Sequence, residues 1–192
     1  MRVGPPPREA ERLVPSLEEQ VSRSIRSLND FPRKGFTGFK DLTTLWIDGP
    51  LTKKVNDALY QYAKKMKPDK IVGIESRGFV VGAPLADRLG VGFVLARKPN
   101  KLPGEKLRVE YQLEYGKDSV EMHSDAIAKG ERVMIVDDLL ATGGTSDAAR
   151  QLVEKMGGKV IGFIFVVELT FLKGRDKLAG YPIYSLVKYE QS

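Results

Sequence analysis

An acidic pair followed at once by a glycine-rich turn is the stretch of this sequence best suited to chemistry. The segment VMIVDDLLATGGTSDAA places Asp137 and Asp138 after an apolar run, and Gly143 and Gly144 just before a helical pattern. In open α/β sheets, ligands bind outside the carboxyl ends of the strands. Two carboxylates there can accept hydrogen bonds from ribose hydroxyls or hold the water ligands of Mg²⁺. The pair therefore predicts a site for a sugar or a hydrated cation.

The turn after the acidic pair is suited to an anion. Its backbone N–H groups can converge on a phosphate at the positive end of the following helix, because glycine removes the side chains that would block the approach. We therefore predict phosphate binding by Ala141, Thr142, Gly143, Gly144 and Thr145. A solvated acidic pair beside an ordinary strand, turn and helix is the alternative for either feature alone. The turn is not a Walker A loop, since no Gly-Lys-Thr follows it.

Cationic residues follow two earlier strand patterns. After KIVGIE, a tight turn could present the amide of Ser76 and the guanidinium of Arg77 to phosphate oxygens. After VGFVLA, a basic stretch contains Arg97, Lys98 and Lys101, which could neutralise an anionic leaving group. A helix-capping serine with a surface arginine, and a solvated basic loop, are the alternatives. These residues add a second set of candidate anion contacts.

The elements that must position these residues alternate between strand and helix. Short apolar runs predict strands at KIVGIE, VGFVLAR, ERVMIVDD, KVIGFIFVVE and PIYSLVKY. Helices are predicted at SRGFVVGAPLADRLG and at TSDAARQLVEKM, which is stopped by two glycines. Alternating apolar and polar residues on both sides of GKDS indicate an antiparallel hairpin. This order predicts an α/β fold with a doubly wound, mainly parallel sheet flanked by helices and an inserted hairpin.

The amino-terminal part is predicted to be helical after a flexible leader. Residues 1–15 contain three consecutive prolines and little apolar material, whereas residues 16–192 are predicted to form a single domain. Ser16 and Glu19 have the spacing of a capping box. A first helix is predicted from apolar residues that recur every three or four positions, namely Leu17, Val21, Ile25 and Leu28. A second helix is predicted from Val55, Leu59, Tyr62 and Met66, and Pro68 would end it.

Composition narrows the class of protein. The chain has 192 residues, 42% of them hydrophobic, which suits one domain. With no cysteine and one histidine, disulfides, thiolate metal sites and a cysteine nucleophile are excluded. The net charge of +6 fits either a nucleic-acid binder or an enzyme for a multiply phosphorylated substrate. Neither a bilayer-spanning apolar run nor a signal-peptide core is present, so we expect a soluble, cytoplasmic protein.

The motif around the acidic pair closely resembles the phosphoribosyl-pyrophosphate motif of the type I phosphoribosyltransferases. Three further blocks resemble those of the adenine phosphoribosyltransferases, namely GIESRGFVVGAPLADRLGVGFVLARKPNKLPGE, YQLEYGKDSVEMHSDAI and VVELTFLKGRDKL, so the resemblance covers residues 31–189. It implies transfer of the 5-phosphoribosyl group from phosphoribosyl pyrophosphate to N9 of adenine, giving AMP and pyrophosphate for purine salvage. It also implies Mg²⁺, a homodimer and a small amino-terminal helical hood.

The resemblance also implies roles for individual residues. Phosphoribosyl pyrophosphate would be bound by Ser76, Arg77, Arg97, Lys98, Lys101, Tyr115, Asp137, Asp138 and the turn 141–145. Arg77 and Glu114 would be catalytic, with Glu114 as the acid or base near the purine. Mg²⁺ would be held through the substrate, with Asp137 and Asp138 as candidate ligands. Relatives often carry a cis peptide in the loop of Ser76, which we expect here at Glu75-Ser76.

The purine would be recognised within the hood, residues 16–50, and covered by a lid formed by residues 98–123. In FTGFKD, Phe39 would stack on adenine while backbone groups near Gly38 and Lys40 read its polar edge. Many relatives have arginine where this chain has Lys40, and PRKGFTGF is one residue longer than their segment. Lysine lacks the planar fork of arginine, so a bidentate contact at this position is not expected to transfer.

Two other functions are consistent with a shared phosphoribosyl site. A transferase acting on another purine base or on orotate would differ only in the base pocket, and the LEYG and LKGRDKL blocks argue against it. A non-enzymatic regulator could sense phosphoribosyl pyrophosphate and bind nucleic acid through its basic surface, but no helix-turn-helix pattern is visible. We therefore expect no nucleic-acid or membrane partner.

Overall fold

Nine strands and five helices make up the part of the chain that the structure, a computed structural model, describes: residues 15–31, 34, 38–112 and 116–191. The strands are β1 (Arg26–Leu28), β2 (Phe39–Asp41), β3 (Lys70–Ile74), β4 (Gly92–Ala96), β5 (Lys106–Gln112), β6 (Lys117–His123), β7 (Arg132–Leu140), β8 (Lys159–Leu169) and β9 (Ile183–Tyr189). The helices are α1 (Leu17–Ser24), α2 (Thr43–Ile47), α3 (Gly49–Met66), α4 (Arg77–Leu89) and α5 (Gly144–Lys155). Two 3₁₀ turns, Thr170–Leu172 and Gly174–Leu178, connect β8 to β9.

Five strands form the central sheet in the order β4-β3-β7-β8-β9, and all neighbours are parallel. Parallel neighbours require a crossover, which α4 and α5 supply between successive strands of the sheet. The predicted doubly wound, mainly parallel α/β sheet flanked by helices is therefore confirmed. Because all five strands run the same way, their carboxyl ends meet at one edge of the sheet.

Each face of the sheet has its own hydrophobic core. Along β7, Met134 and Val136 face one core, while Val133 and Ile135 face the other, as expected when successive side chains point to opposite faces. The first core packs α1, α3 and α4 on the sheet through residues such as Val21, Val55, Leu59, Val81 and Leu85. The second packs α5 and the hairpin through residues such as Val109, Val120, Met122, Ala148 and Leu152. Because both faces of β7 are buried, the two cores together hold in place the strand that carries the acidic pair.

The first helix is shorter than predicted. Its capping box is present, with the amide of Glu19 donating to Ser16 and the amide of Ser16 donating to Glu19. The helix ends at Ser24, and the chain turns extended, so that Leu28 pairs with Phe39 in the antiparallel strands β1 and β2. The prediction of helix through Leu28 was wrong, because a half-buried apolar residue of β1 continues the helical spacing.

The remaining predicted elements are present, with small changes in their limits. Helix α3 ends at Met66 as Pro68 requires, and α4 ends before Gly90, which adopts a left-handed conformation with φ 69°. Strand β7 runs two residues past Asp138, to Leu140. The hairpin of β5 and β6 pairs antiparallel as a separate two-stranded sheet. The proposed leader lies almost wholly outside the described residues. Within the described ranges, no helix has the length and apolar character to cross a bilayer.

Candidate functional site

The acidic pair lies at the carboxyl end of β7 and is held close to the first turn of α4. The backbone amide of Asp138 donates to Oδ1 of Asp137 at 2.9 Å. Asp138 is only 1% exposed. Burial and the neighbouring Asp138 raise the pKa of Asp137 well above its usual value. Burial also raises the pKa of Asp138, although Arg77 opposes the shift. Ionisation of both carboxylates is therefore costly, and a cation or a hydroxyl donor near the pair would reduce that cost.

Arg77 faces this pair from the first residue of α4. Its Nε lies 2.8 Å from Oδ2 of Asp138, yet that buried oxygen has no hydrogen-bond partner among the described residues, so the contact is an ion pair without a directed bond. Gly78 permits the close approach, since a Cβ there would lie 2.8 Å from the carbonyl oxygen of Val136. The expected cis peptide precedes this turn, at Glu75-Ser76. Ser76 is the N-cap residue of α4 but makes no side-chain cap.

The glycine-rich turn forms the amino end of α5. Gly143 is the N-cap residue, with φ 77°, and contributes no side-chain hydrogen bond to the helix. A side chain on Gly143 would collide with the backbone of Gly174, and one on Gly174 would collide with the carbonyl of Ala141. The turn therefore packs against the backbone of Gly174 and not against flexible side chains. This arrangement leaves a rigid helix terminus at which N–H groups can bind an anion.

The opposite side of this turn contacts the hairpin. The hydroxyl of Thr145 donates to the phenol oxygen of Tyr111 at 3.0 Å. A Cβ on Gly144 would lie 3.1 Å from the ring of Tyr111 and 3.7 Å from the Nζ of Lys177. Tyr111 also donates to Asp118 at 2.9 Å and accepts from Lys98 at 2.7 Å. The hairpin thus reaches the predicted phosphate loop directly.

The predicted basic cluster is brought near the same edge but is already paired within the protein. Arg97 donates to both oxygens of Glu75, at 3.1 and 3.0 Å, and to the carbonyl of Lys101 at 2.9 Å. The hydrogen bond from Arg97 lowers the pKa of Glu75, outweighing its burial. Lys98 forms an ion pair with Asp118, while Lys101 is exposed. Of these three cations, Arg97 and Lys98 therefore already face carboxylates of the protein, and Lys101 is open to solvent.

The predicted purine segment reaches the acidic pair through Arg77. The ring centroid of Phe39 lies 5.9 Å from the Cζ of Arg77 and 4.7 Å from the ring of Phe31. Lys40 is buried on the other face of β2, where its Nζ donates to Ser27 at 2.8 Å and lies 4.4 Å from the ring of Tyr189. Its side chain is thus turned away from Phe39. Of the predicted set, the backbone N–H of Gly38 already donates to Oδ1 of Asn29 at 3.3 Å, and Lys40 pairs with Ser27 in the β1–β2 ladder.

Some residues that contact the candidate site or support it were missed by sequence reasoning, and two predicted site residues cannot be placed. Glu114 and Tyr115 lie outside the described residues. The missed residues are Tyr111, Asp118, Glu168, Gly174, Arg175 and Lys177. Glu168 gave a signal that could have been used, because a carboxylate within the apolar run of β8 needs a buried partner. Its partner is Arg175, which also donates to the carbonyl of Ile183 at 3.5 Å.

Comparisons with known proteins identify the family of this chain. The family model described as Phosphoribosyl transferase domain matches residues 47–182. The adenine phosphoribosyltransferase of Clostridium perfringens (strain 13 / Type A) is 56% identical over 166 residues, covering 86% of this chain and 96% of that protein.

Two solved structures have the same fold. The adenine phosphoribosyltransferase of Thermoanaerobacter pseudethanolicus matches with a TM-score of 0.87 and 53% identity, over 91% of this chain and 100% of that one. The enzyme of Saccharomyces cerevisiae, crystallised with an imino-altritol bisphosphate and adenine, matches with a TM-score of 0.83 and 40% identity, over 88% of this chain and 98% of that one. With these identities over nearly the whole length of the relatives, the chain belongs to the adenine phosphoribosyltransferase family.

Proposed function

We propose that this protein transfers the 5-phosphoribosyl group from phosphoribosyl pyrophosphate to N9 of adenine, giving AMP and pyrophosphate for purine salvage. This is the activity of the family to which the chain belongs. The observation in the structure that carries it is the buried Oδ2 of Asp138, which has an ion pair with Arg77 but no directed hydrogen bond from the described residues, a few residues before the uncapped amino end of α5. One strand, turn and helix thus offers acceptors for ribose hydroxyls beside donors for a phosphate, which together fit a ribose phosphate.

The ribose phosphate would be bound by β7 and the turn after it. Asp137 and Asp138 accept hydrogen bonds from the 2′ and 3′ hydroxyls and offset the positive charge that develops at C1′. The N–H groups of Gly143, Gly144 and Thr145 and the hydroxyl of Thr142 bind the 5-phosphate. The bond from C1′ to the pyrophosphate oxygen breaks as the bond to N9 forms, so pyrophosphate leaves with the bonding electron pair.

The pyrophosphate end would lie beside the amino end of α4 and the stretch 97–101. Ser76, Arg77 and Lys101 are open enough to contact it, since Arg77 is 39% exposed. Arg97 and Lys98 must exchange part of their contact with Glu75 and Asp118 for contact with the leaving group. This exchange would couple pyrophosphate binding to the position of the hairpin.

Mg²⁺ fits this site as an ion held chiefly by the substrate. In the ranges 15–31, 38–112 and 116–191, no group of three or more His, Asp or Glu side chains could hold a metal by itself. Oδ2 of Asp138, which lacks a directed hydrogen bond, and the raised pKa of Asp137 support a cation here. We infer that Asp137 and Asp138 would contact the ion or its water ligands. The bound ion would neutralise charge on the pyrophosphate group.

We assign Glu114, in the proposed lid of residues 98–123, as the group that accepts the proton from N9 of adenine. A ribosyl centre with cationic character reacts with water, so a lid must exclude solvent before the bond breaks. Glu114→Ala should lower kcat by about 10²–10⁴ with little change in KM for phosphoribosyl pyrophosphate. Steady-state kinetics of this variant and of the exposed control Glu105→Ala tests the role. An unchanged kcat would assign the proton to another group.

Two further properties follow from membership in the family and are proposed here. The chain forms a homodimer, a symmetric arrangement that is the commonest among soluble oligomers. It acts in the cytoplasm on adenine and phosphoribosyl pyrophosphate, without a nucleic-acid or membrane partner. Light scattering at micromolar concentration that returned the mass of one chain, with full activity, would contradict the dimer.

The decisive experiment compares free bases. Protein, Mg²⁺ and phosphoribosyl pyrophosphate are mixed with adenine, hypoxanthine, guanine, xanthine or orotate, and pyrophosphate release is followed. Adenine should be preferred over hypoxanthine by up to ~10⁴ in kcat/KM, because hypoxanthine leaves the acceptor for the exocyclic amine unpaired. Similar values for both bases would assign another transferase, and binding of phosphoribosyl pyrophosphate without turnover of any base would assign a sensor.

A further inference from the structure

The 3₁₀ turn Gly174–Leu178 presents a lysine to the phosphate loop. A Cβ placed on Gly144 would lie 3.7 Å from the Nζ of Lys177. The same Cβ would lie 3.1 Å from the ring of Tyr111. Gly144 has no side chain, so none of its atoms lies between the ammonium group of Lys177 and the backbone at the amino end of α5. The cation therefore lies close to Gly144, the first residue of α5, whose N–H we assign to the 5-phosphate.

The position of this lysine is fixed by two contacts of its own turn. Gly174 packs so closely on the phosphate loop that a Cβ on it would collide with the carbonyl of Ala141. Arg175 binds the buried Glu168 through Nε at 2.5 Å and Nη2 at 2.7 Å. Glu168 is the register partner of Leu140, the residue just before the loop. The loop follows β7 and the 3₁₀ turn follows β8, and the ends of these two paired strands are therefore level with each other.

The charge of Lys177 is available to a ligand. The residue is exposed, and within the described parts of the chain no carboxylate lies within ion-pair distance of its ammonium group. Arg97 and Lys98 differ from it, because each already faces a protein carboxylate. A phosphate dianion at a helix terminus attracts a nearby cation strongly, since the ion pair adds to the hydrogen bonds from the backbone.

We propose that Lys177 is a further binding residue for the 5-phosphate of phosphoribosyl pyrophosphate, placed there by the Arg175–Glu168 pair. The assignment rests on the proposed function of the loop 141–145. It separates the two ends of the substrate: Lys177 serves the 5-phosphate, whereas Arg77 and Lys101 serve the pyrophosphate. The ammonium group contacts the same phosphate in the substrate and in AMP, so its contribution is to binding and not to the chemical step.

The test removes the charge and keeps the aliphatic stem. Lys177→Met should raise the Kd for ribose 5-phosphate and the KM for phosphoribosyl pyrophosphate about tenfold, the effect of one charge-assisted contact partly open to solvent. The kcat and the KM for adenine should change less than about twofold, because uniform binding lowers KM alone. Lys177→Arg should recover most of the affinity, and the loss in Lys177→Met should shrink at high salt.

Lys173→Met is the matched control, because it removes an equal charge from an exposed residue of the same segment. It should leave the Kd for ribose 5-phosphate within about twofold of the wild-type value, as expected for an exposed charge outside a specific contact. Equal Kd values for Lys177→Met, Lys173→Met and the wild-type protein would overturn the proposal. So would a loss confined to pyrophosphate binding. The Kd is measured without adenine, so it remains informative even if the base assay contradicts the proposed transfer.

Discussion

Two buried carboxylates on neighbouring strands face arginines in the same way but differ in how completely they are bonded. Asp138 on β7 and Glu168 on β8 have side chains that are 2% and 3% exposed, and each faces an arginine that is 39% exposed. Glu168 accepts hydrogen bonds from Nε and Nη2 of Arg175, at 2.5 and 2.7 Å, and from Ser185 at 2.7 Å. Oδ2 of Asp138 accepts none from the residues that the structure describes.

The difference separates a carboxylate that is fully hydrogen-bonded within the protein from one that has an ion pair but no directed hydrogen bond. Burial alone would raise the pKa of Glu168, but hydrogen bonds from Arg175 and Ser185 hold it below its usual value. Burial raises the pKa of Asp138, and its ion pair with Arg77 does not compensate. Equal burial therefore does not distinguish the roles of the two carboxylates, whereas the number of hydrogen bonds that each accepts does. Glu168 is fully hydrogen-bonded within the protein, and Asp138 is the carboxylate that we propose for substrate binding.

The largest expected effect is on catalysis. Asp138→Asn keeps the size of the side chain but removes the charge that faces ribose and C1′, so kcat/KM for phosphoribosyl pyrophosphate should fall by about 10²–10³. Asp137→Asn should act in the same direction. The free energy of unfolding, measured in urea, should not fall, since neither carboxylate is well satisfied in the folded protein. The exposed Asp125→Asn serves as the control for both measurements. Wild-type kinetics in both variants would make the pair structural.

The next effect is on stability. Arg175→Met leaves Glu168 buried without its main partner and should lower the free energy of unfolding by about 2–4 kcal/mol, somewhat less than for a fully enclosed pair because Arg175 is 39% exposed. Arg88→Met provides the contrast, since its ion pair with Asp57 is about 40% exposed on both sides and should contribute much less to stability. Equal losses in urea denaturation would show that Glu168 does not depend on Arg175.

The sheet was predictable because its strands and helices each carry a periodic pattern bounded by glycine or proline. The acidic pair and the turn could be assigned because chemistry and spacing coincide within a single strand, turn and helix. The β1–β2 pair was missed, because two three-residue strands give too short a pattern and Leu28 continued the spacing of α1. Local sequence cannot separate such a residue from the next turn of a helix.

The rest of the site depends on contacts between distant segments. Arg77 was expected to contact pyrophosphate, and only the structure shows that it also faces Asp138. Lys177 lies more than thirty residues from the turn it approaches, within a segment of 3₁₀ turns that has no periodicity. Residue types predict that a cation and a carboxylate can pair. They do not predict which of two buried carboxylates receives directed hydrogen bonds.

The third effect is on the pH dependence of stability, and it has opposite signs for the two carboxylates. Because the folded pKa of Glu168 is lowered, its stabilisation is present above the ordinary value of 4.5 and is lost as the pH falls through the folded value. Because the folded pKa of Asp137 is raised, its cost is present at neutral pH and is relieved as the pH falls through that raised value.

Unfolding free energies of two variants between pH 3 and 7 measure this difference. Glu168→Gln should be less stable than the wild-type protein at pH 7 by about 1–3 kcal/mol, and the difference should shrink in acid. Asp137→Asn should be more stable than the wild-type protein at pH 7, and this advantage should also shrink in acid. Parallel pH profiles for the wild-type protein and either variant would contradict the corresponding pKa shift.

The smallest effect distinguishes the two arginines by replacing each with lysine. Lysine keeps the charge but lacks the planar fork, so it can replace an ion pair that has no directed bond but not a bidentate one. Arg175→Lys should therefore lower the free energy of unfolding by about 1 kcal/mol, the value of one hydrogen bond. Arg77→Lys should change it by less than about 0.5 kcal/mol, as at a site without a satisfied bond. Urea denaturation at pH 7 resolves this difference when the two variants are measured together. If Arg77→Lys costs as much as Arg175→Lys, then the contact between Arg77 and Asp138 is a directed bond, and Asp138 is as fully satisfied by the protein as Glu168.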